Sequence, residues 1–533
     1  MSEFLFVKKN FRHSYEHAIH SANPNSKIGS YLSPENGRSV GFKEFDTLVK
    51  NAAHALDEDG PNKKLIVTIA GNSLQHMAYI VAALLTGRSV CLINPQEGVE
   101  RIQQKISSLN EDCFVVTDQQ DAQWRQSLNA QPMRLDSAPT NGNVRWVDFP
   151  ADRPFILIFT SGSTGYSKIV EQSEIGVLTN VDALIERHRL HAGACIGTPL
   201  PISHVNALEF SFFSSLLAGS SLVLLGQIAP SYFAEVIARE HCTILSIVPP
   251  ILRSLVNQAA IFQKHDLSHL QYFATAAAPL STDLLRQALD TFHVPVIQGY
   301  GLSEAINFSC LMPTDLNEEA YRQVMLQEPW PSIGTPLRGS VVEVLGEDGE
   351  ILKEGERGQI AIGGPTVMRG YRGDTNRLWF KHGYLNTGDL GYYRIGQDGR
   401  KYFYISGRLK EIAKRNGVTI ALREIDDIMA NFDASCDCIA VAFANDVAGE
   451  EVAILVRTER PSDKEFESKL RTYVENSLPP HIRPRVIYFT KRSLRTASGK
   501  PQRHKFNFLF EPFKKLAIGG PIRFFTDSLF DDL

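Results

Sequence analysis

Two lysines close short runs of small residues that could handle phosphate. One ends Thr160-Ser161-Gly162-Ser163-Thr164-Gly165-Tyr166-Ser167-Lys168, and the other lies in Arg495-Thr496-Ala497-Ser498-Gly499-Lys500-Pro501-Gln502-Arg503. Small residues let backbone N–H groups and hydroxyls approach phosphate oxygens closely, and a lysine adds a point charge. The first run directly follows the apolar stretch Phe155 to Phe159, whose composition predicts a buried strand. The run is not a Walker A loop: Ser167 stands where that motif, counted from Gly162, needs its second glycine. A P-loop NTPase is therefore disfavoured.

The elements that must position these residues alternate. Leu65 to Ala70 reads as a strand, Leu74 to Leu85 has helical spacing, Gly87 stops it and Ser89 to Ile93 is a second strand. The rhythm continues with a helix around 208–217, a strand 222–225, a helix 231–239, a strand 244–248, a helix 281–292 and a strand 294–297. Such alternation implies parallel sheets covered by helices. The first phosphate run and a second candidate, Gln298-Gly299-Tyr300-Gly301-Leu302-Ser303-Glu304, then fall at the carboxyl ends of strands, where such sheets bind ligands.

From Val341 the pattern changes to short strands, with Asp348-Gly349 and Asp398-Gly399 as hairpin signals. After Gly407 the spacing predicts a compact α+β unit: a helix from Arg423, strands near 439–443 and 451–456, a helix 463–478 and a strand 486–489. The expected fold class is α/β. A large N-terminal domain (1–407) has parallel sheets and a small β lobe, residues 408–410 form a hinge, and a smaller mobile α+β domain with a tail covers 411–533.

Bulk composition narrows the partners. The 533 residues are 43% hydrophobic and 21% charged, as in a globular protein. The net charge of −4 gives no electrostatic case for nucleic acid. Seven scattered cysteines without a CxxC argue against a disulfide framework or zinc site, and fit a reducing cytoplasm. Neither a signal-peptide core nor a run long enough to span a bilayer is present in the sequence.

The ordered set of Thr160 to Lys168, Tyr300-Gly301-Leu302-Ser303-Glu304, Asn386-Thr387-Gly388-Asp389, Ser406-Gly407-Arg408-Leu409-Lys410-Glu411 and the Lys500 run resembles the adenylate-forming superfamily. Acyl- and aryl-CoA synthetases, adenylation domains of peptide synthetases and firefly luciferase belong to that group. The resemblance covers nearly the whole chain. It implies ATP-dependent activation of a carboxylic acid to an acyl-adenylate with release of pyrophosphate, then transfer to a thiol with release of AMP. Charge developing at phosphorus in that chemistry calls for fixed cations and donors.

By resemblance, Glu304 holds Mg²⁺, Ser303 contacts the α-phosphate and Tyr300 stacks on adenine, flanked by Gly299 and Gly301. Ala277 and Ala278 lie beside the adenine and acyl pockets. Asp389 accepts the ribose hydroxyls, and Arg408 sits near ribose or phosphate. Lys168, with the hydroxyls of Thr160, Ser161, Ser163 and Thr164 and the backbone of Gly162 and Gly165, lines the pyrophosphate path. Lys500 bridges the acyl carboxylate and the α-phosphate. Lys410 matches the hinge, and rotation about it would carry Lys500 away and bring Gly417 to a pantetheine tunnel. Two departures from the family pattern, Ser167 for proline and Ser303 for threonine, keep the hydroxyl chemistry.

The stretch Pro199 to Ala207 looks like the histidine-bearing version found in acyl- and aryl-CoA synthetases, with His204 as a gate at the acyl carboxylate. That disfavours an α-amino acid. Glu209, the nearest acid, reads more simply as a helix-face or core-edge carboxylate than as an ammonium ligand. Thr275-Ala276-Ala277-Ala278-Pro279 places methyl groups where the family usually has glycines, so a small, medium or aryl acid is expected rather than a long fatty acid. The acceptor is CoA or the phosphopantetheine of a carrier protein, which present the same thiol. The tail Phe525 to Leu533 resembles a carrier-protein loop, although its plainer reading is an acidic, phenylalanine-bearing tail docked on the body.

Overall fold

The structure, a computed structural model, describes residues 10–32, 37–135, 144–160, 168–226, 230–409, 411–416, 418–433, 435–458, 464–496, 501–515 and 521–526. It divides into two compact units. The first comprises Met1–Val324, Ile333–Val342 and Ile362–Leu385; the second comprises Met325–Ser332, Glu343–Ala361 and Asn386–Leu533.

Two sheets organise the first unit. In the seven-stranded one the spatial order is Gly370–Tyr371, Ile169–Gln172, Ile156–Phe159, Ser89–Ile93, Leu65–Ile69, Cys113–Thr117 and Gln131–Pro132. Its centre is parallel and its first two junctions are antiparallel. Every residue of Leu65–Ile69 and Ser89–Ile93 is buried, as continuous apolar runs covered on both faces must be. Helix Leu74–Leu85 is apolar nearly all round and correspondingly buried, and its N-terminal donors are capped by Ser73, which accepts from the His76 amide.

The nine-stranded sheet is parallel through Val296–Gly301, Tyr272–Thr275, Ile244–Ile247, Cys195–Thr198, Ser221–Leu225 and Lys27–Tyr31. Phe308–Leu311 and Thr335–Pro336 extend it antiparallel at one edge, and Gly37–Gly41 at the other. Two differences from the sequence reading bear on the site. Gln298 to Gly301 form the end of strand Val296–Gly301 rather than a loop after it, because Gly299 and Tyr300 pair across to Leu311 and Cys310. The helix expected at 208–217 opens as a π-helix, Asn206–Phe213, and tightens to an α-helix only at Ser214–Ala218.

In the second unit, strands Tyr384–Ile395 and Lys401–Arg408 form an antiparallel hairpin that turns at Asp398-Gly399. Its C-terminal part is a sheet of Asp437–Asn445, Gly449–Arg457, Val486–Thr490 and Arg523–Thr526 with the hairpin Ile412–Arg415 and Val418–Ala421. One face packs on helices Leu422–Met429 and Lys464–Ser477 through Ile425, Leu470, Val474 and Ile454. The other face packs Tyr488, Leu455 and Val441 against Phe506, Leu509 and Phe510 of a 3₁₀ segment, Arg503–Phe513. Among the described residues no helix is long and apolar enough to cross a membrane.

Candidate active site

In the first unit, Thr160 and Lys168 stand at the two ends of the glycine-rich run. The Thr160 amide donates to the Lys168 carbonyl at 2.9 Å, and Phe159 pairs with Ile169 across an antiparallel hairpin. The chain therefore returns as a strand, whereas a P-loop continues as a helix. Ser161, Gly162, Ser163, Thr164 and Gly165 lie outside the described residues.

Lys168 and Glu304 meet the same tyrosine. The Lys168 ammonium lies 4.3 Å above the centre of the Tyr371 ring, and the Tyr371 hydroxyl donates to Glu304 Oε1 at 2.8 Å. Burial, reinforced by the Glu304 carboxylate, pushes the Tyr371 hydroxyl pKa up, so it remains a donor at neutral pH. Tyr371 reaches this place because Gly370 and Tyr371 pair with Glu171 and Val170, beside Lys168, about two hundred positions earlier in the chain. Sequence reasoning missed it, since Gly370-Tyr371-Arg372 has no chemical signature of its own.

The Glu304 segment is held tightly. Ser303–Ala305 is one 3₁₀ turn, and Met368 donates its amide to the Glu304 carbonyl at 2.8 Å. Ile306 follows at φ 68°, ψ −77°, and Asn307 N–H closes on Ala305 C=O at 2.9 Å, which makes a γ-turn. A β-branched residue there is strained by roughly 1–3 kcal/mol. Its environment compensates: Ile306 is fully buried, and Gln172 Nε2 donates to both Ser303 O (3.2 Å) and Ile306 O (3.1 Å).

Gly299, Tyr300 and Gly301 line the strand leading into this turn. A side chain at Gly301 would place Cβ 1.5 Å from the Asn307 carbonyl oxygen, so only glycine fits. Ala277 takes φ 67°, a left-handed conformation that favours glycine, and its side chain is exposed; Ala278 is half-buried. His204 is exposed at the start of the π-helix, its amide donating to Pro201 O at 2.9 Å. Glu209 is fully buried on that π-helix, deeper than the core-edge place expected of it.

In the second unit, Asp389 and Arg408 are cross-strand partners, and Arg408 Nε donates to Asp389 Oδ1 at 2.8 Å. Asp389 is 5% exposed, while Arg408 reaches solvent. Asp389 is aimed by its neighbours: its amide donates to Thr387 Oγ1 at 3.0 Å, and Thr387 donates to Ile360 O. Lys410, Gly417 and Lys500 lie outside the described residues, as does the tail beyond Thr526.

The ends of the Lys500 run are described. Arg495 and Pro501 form an antiparallel bridge, and Gln502 N donates to Leu494 O at 2.9 Å. Arg495 pairs with Asp437 at 2.8 Å, and Arg503 is buried against Asp426 at 2.6 Å while donating to Ala440 O at 2.6 Å. Asp426 in turn accepts from the Ala440 amide.

The chain matches known proteins in sequence and in fold. The AMP-binding enzyme family matches residues 19–372, and the AMP-binding enzyme C-terminal domain matches residues 424–500. A sulfoacetate–CoA ligase of Cupriavidus necator is 31% identical over 357 residues, spanning 66% of this chain and 67% of that protein. An indoleacetate–CoA ligase of Aromatoleum aromaticum is 26% identical over 489 residues, 87% of this chain and 92% of that one. In fold, the chain is similar to an o-succinylbenzoate CoA synthetase of Bacillus subtilis solved with ATP and magnesium ion. That match has a TM-score of 0.78 at 20% identity, over 92% of this chain and 98% of that one.

Proposed function

We propose, from the premise that this chain belongs to the AMP-binding enzyme family, that it is an AMP-forming acid–CoA ligase acting on a small, medium-sized or aryl carboxylic acid. The observation that carries the reading is the grouping of Lys168, Tyr371 and Glu304 around one hydroxyl and one ring face. A lone lysine or glutamate would be an ordinary surface charge; a cation on the ring face and a carboxylate on the hydroxyl of one half-buried tyrosine are a prepared site.

In the first half-reaction a carboxylate oxygen of the acid attacks the α-phosphorus of ATP and the bond to the β-phosphate breaks, releasing pyrophosphate. Lys168 and the hydroxyls of the glycine-rich run steady the leaving phosphates, and Lys500 draws the acid and the α-phosphate together. Asp389 and Arg408 hold the ribose, Tyr300 the adenine, and His204 borders the acyl group. Mg²⁺, when bound, neutralises phosphate charge; Glu304 fits that task, because Mg²⁺ is commonly held by one or two carboxylates plus substrate phosphates. In the second half-reaction a thiol sulfur attacks the acyl carbon and AMP leaves. Rotation of residues 411–533 about the 408–410 hinge separates the two steps, withdrawing Lys500 and presenting Gly417 to the pantetheine arm.

Ala277 and Ala278, where glycines are usual, support the modest size of the acid. So do the relatives named for sulfoacetate and indoleacetate, neither a long fatty acid. Efficient turnover of palmitate with no activity on short or aryl acids would contradict that class. CoA is favoured as acceptor by those same relatives, and carrier-protein phosphopantetheine is the alternative. Product analysis decides: free CoA is expected to accelerate AMP release and give an acyl-CoA, whereas acceleration only by a phosphopantetheinylated carrier would select the alternative. Lys410→Pro is expected to spare adenylation and slow thioester formation about tenfold or more; equal loss of both half-reactions would defeat the hinge.

A further inference from the structure

The chain that leads into the π-helix cannot hold itself in place. It runs from the end of strand Cys195–Thr198 to His204, and two of its residues, Pro199 and Pro201, have no N–H to donate. Leu200 and Ile202 are buried, so the carbonyl of the one and the amide of the other need partners from elsewhere in the molecule. Thr198 pins the start, its hydroxyl accepting from the Leu200 amide at 3.2 Å while donating to Ser246 O at 2.8 Å. Asn206 pins the end, where it accepts from Ser246 Oγ at 3.2 Å.

One side chain supplies the middle. Asn72 Oδ1 accepts from the Ile202 amide at 2.9 Å, and Nδ2 donates to Leu200 O at 2.9 Å and to Leu225 O at 3.1 Å. Both amide hydrogens and the oxygen are used, and a flipped amide would oppose all three partners, so the network fixes its orientation. Asn72 is itself buried in a rigid turn: Ser30 Oγ donates to its carbonyl, and Asp118 accepts from Gly71 N and Ser73 Oγ on either side at 3.0 and 3.2 Å. Asn72 follows strand Leu65–Ile69 of the seven-stranded sheet, whereas Leu225 ends a strand of the nine-stranded one. The side chain therefore joins the carboxyl ends of both sheets, where such folds bind ligands, to the segment before His204.

We propose that Asn72 is a positioning residue for the acyl side of the site, setting the Leu200–Ile202 backbone and, through it, His204. The link is one planar peptide. Its N–H, on Ile202, is held by Asn72, and its C=O, on Pro201, accepts the His204 amide at 2.9 Å. Leu208 N then donates to His204 O at 3.0 Å, so the entry to the π-helix hangs from the same peptide. Turning that peptide would move the backbone of His204 with it.

The role of His204 at the acid rests on the proposed ligase function; the clamp on residues 200–202 does not. Two readouts separate them. In hydrogen–deuterium exchange, the Ile202 and His204 amides should exchange about tenfold faster in Asn72→Ala than in the wild type, without any turnover. In ATP–pyrophosphate exchange with butyrate, octanoate and benzoate, the same variant should raise KM about tenfold for the acid that the wild type uses best, and leave KM for ATP within about twofold. Unchanged amide exchange, an unchanged acid KM, or an equal rise in both KM values would overturn the proposal. If Asn72→Ala does not fold, the wild type still decides: its Ile202 amide, outside any helix or strand, should be protected at least about tenfold, and free exchange there would overturn the clamp. Silence of the wild type with all three acids, beside a loosened segment in Asn72→Ala, would count against the ligase reading and leave the clamp standing.

Discussion

The Thr160-to-Lys168 run is closed at its base by backbone: an amide–carbonyl bond between its ends and a strand pair beneath it. The Lys500 run is closed by a backbone bridge between Arg495 and Pro501 and, in addition, by arginines, Arg495 on Asp437 before it and Arg503 on Asp426 after it. The same division holds for what surrounds each base. The Glu304 turn of the first unit leans on the Gln172 amide, whereas the base of the Lys500 run in the second unit leans also on ion pairs. Neutral supports resist salt and pH and are sensitive to hydrogen-bond geometry; ionic supports depend on burial.

Within the second unit burial decides which pair matters. Arg503 and Asp426 side chains are 10% and 9% exposed, so Asp426→Ala leaves a buried guanidinium with the more distant Glu411 carboxylate at 3.5 Å and is expected to destabilise by about 3 kcal/mol, read from urea denaturation. Arg495 and Asp437 are 30% and 32% exposed, and Asp437→Asn is expected to change stability by about 1 kcal/mol or less. Equal effects would erase the distinction between the two arginines.

His188 tests the first unit against acid. It is stacked on Phe210 at 4.4 Å, with Nδ1 2.9 Å from the Tyr272 hydroxyl, and burial, then Arg187, lowers its pKa to about 3. The unfolded chain protonates this histidine near pH 6.5 and the folded one does not. Stability is therefore complete above pH 6.5 and falls by about 1.4 kcal/mol per unit as pH drops towards 3. His188→Phe should flatten that limb in a pH series of denaturation curves; an unchanged slope would assign acid sensitivity elsewhere.

A smaller effect is expected at Tyr371. Tyr371→Phe keeps the ring beneath Lys168 and removes the hydroxyl from Glu304, and should slow pyrophosphate exchange about tenfold. Tyr371→Leu, which also removes the ring, should slow it further. If the two variants behave alike, the ring face contributes nothing.

Much of this was legible in the sequence for a physical reason: phosphate chemistry concentrates small residues, lysines and carboxylates into short runs, and alternation of apolar segments announces parallel sheets. The runs around Lys168 and Glu304 were found that way; Asp389 and Arg408 entered only through the resemblance to the adenylate-forming superfamily. What escaped was set by distant pairing. Tyr371 is placed by residues 170 and 171, Gln298 to Gly301 become strand only because Phe308–Leu311 returns beside them, and Gln172 matters through carbonyls at 303 and 306. The π-helix was hidden too, since its eight residues, five of them apolar, are all buried and carry no period that distinguishes it from an α-helix.

Acid-dependent ATP–pyrophosphate exchange with pools of short-chain, medium-chain, aryl and amino acids, run on the wild type and on Lys500→Ala, tests the ligase account most directly. The expected result is exchange with a pool of short, medium or aryl acids, at least about a hundredfold weaker in Lys500→Ala, with AMP and an acyl-CoA formed once CoA is added. Exchange undiminished in Lys500→Ala, ADP as the nucleotide product, or silence with every pool in protein that binds ATP would contradict it.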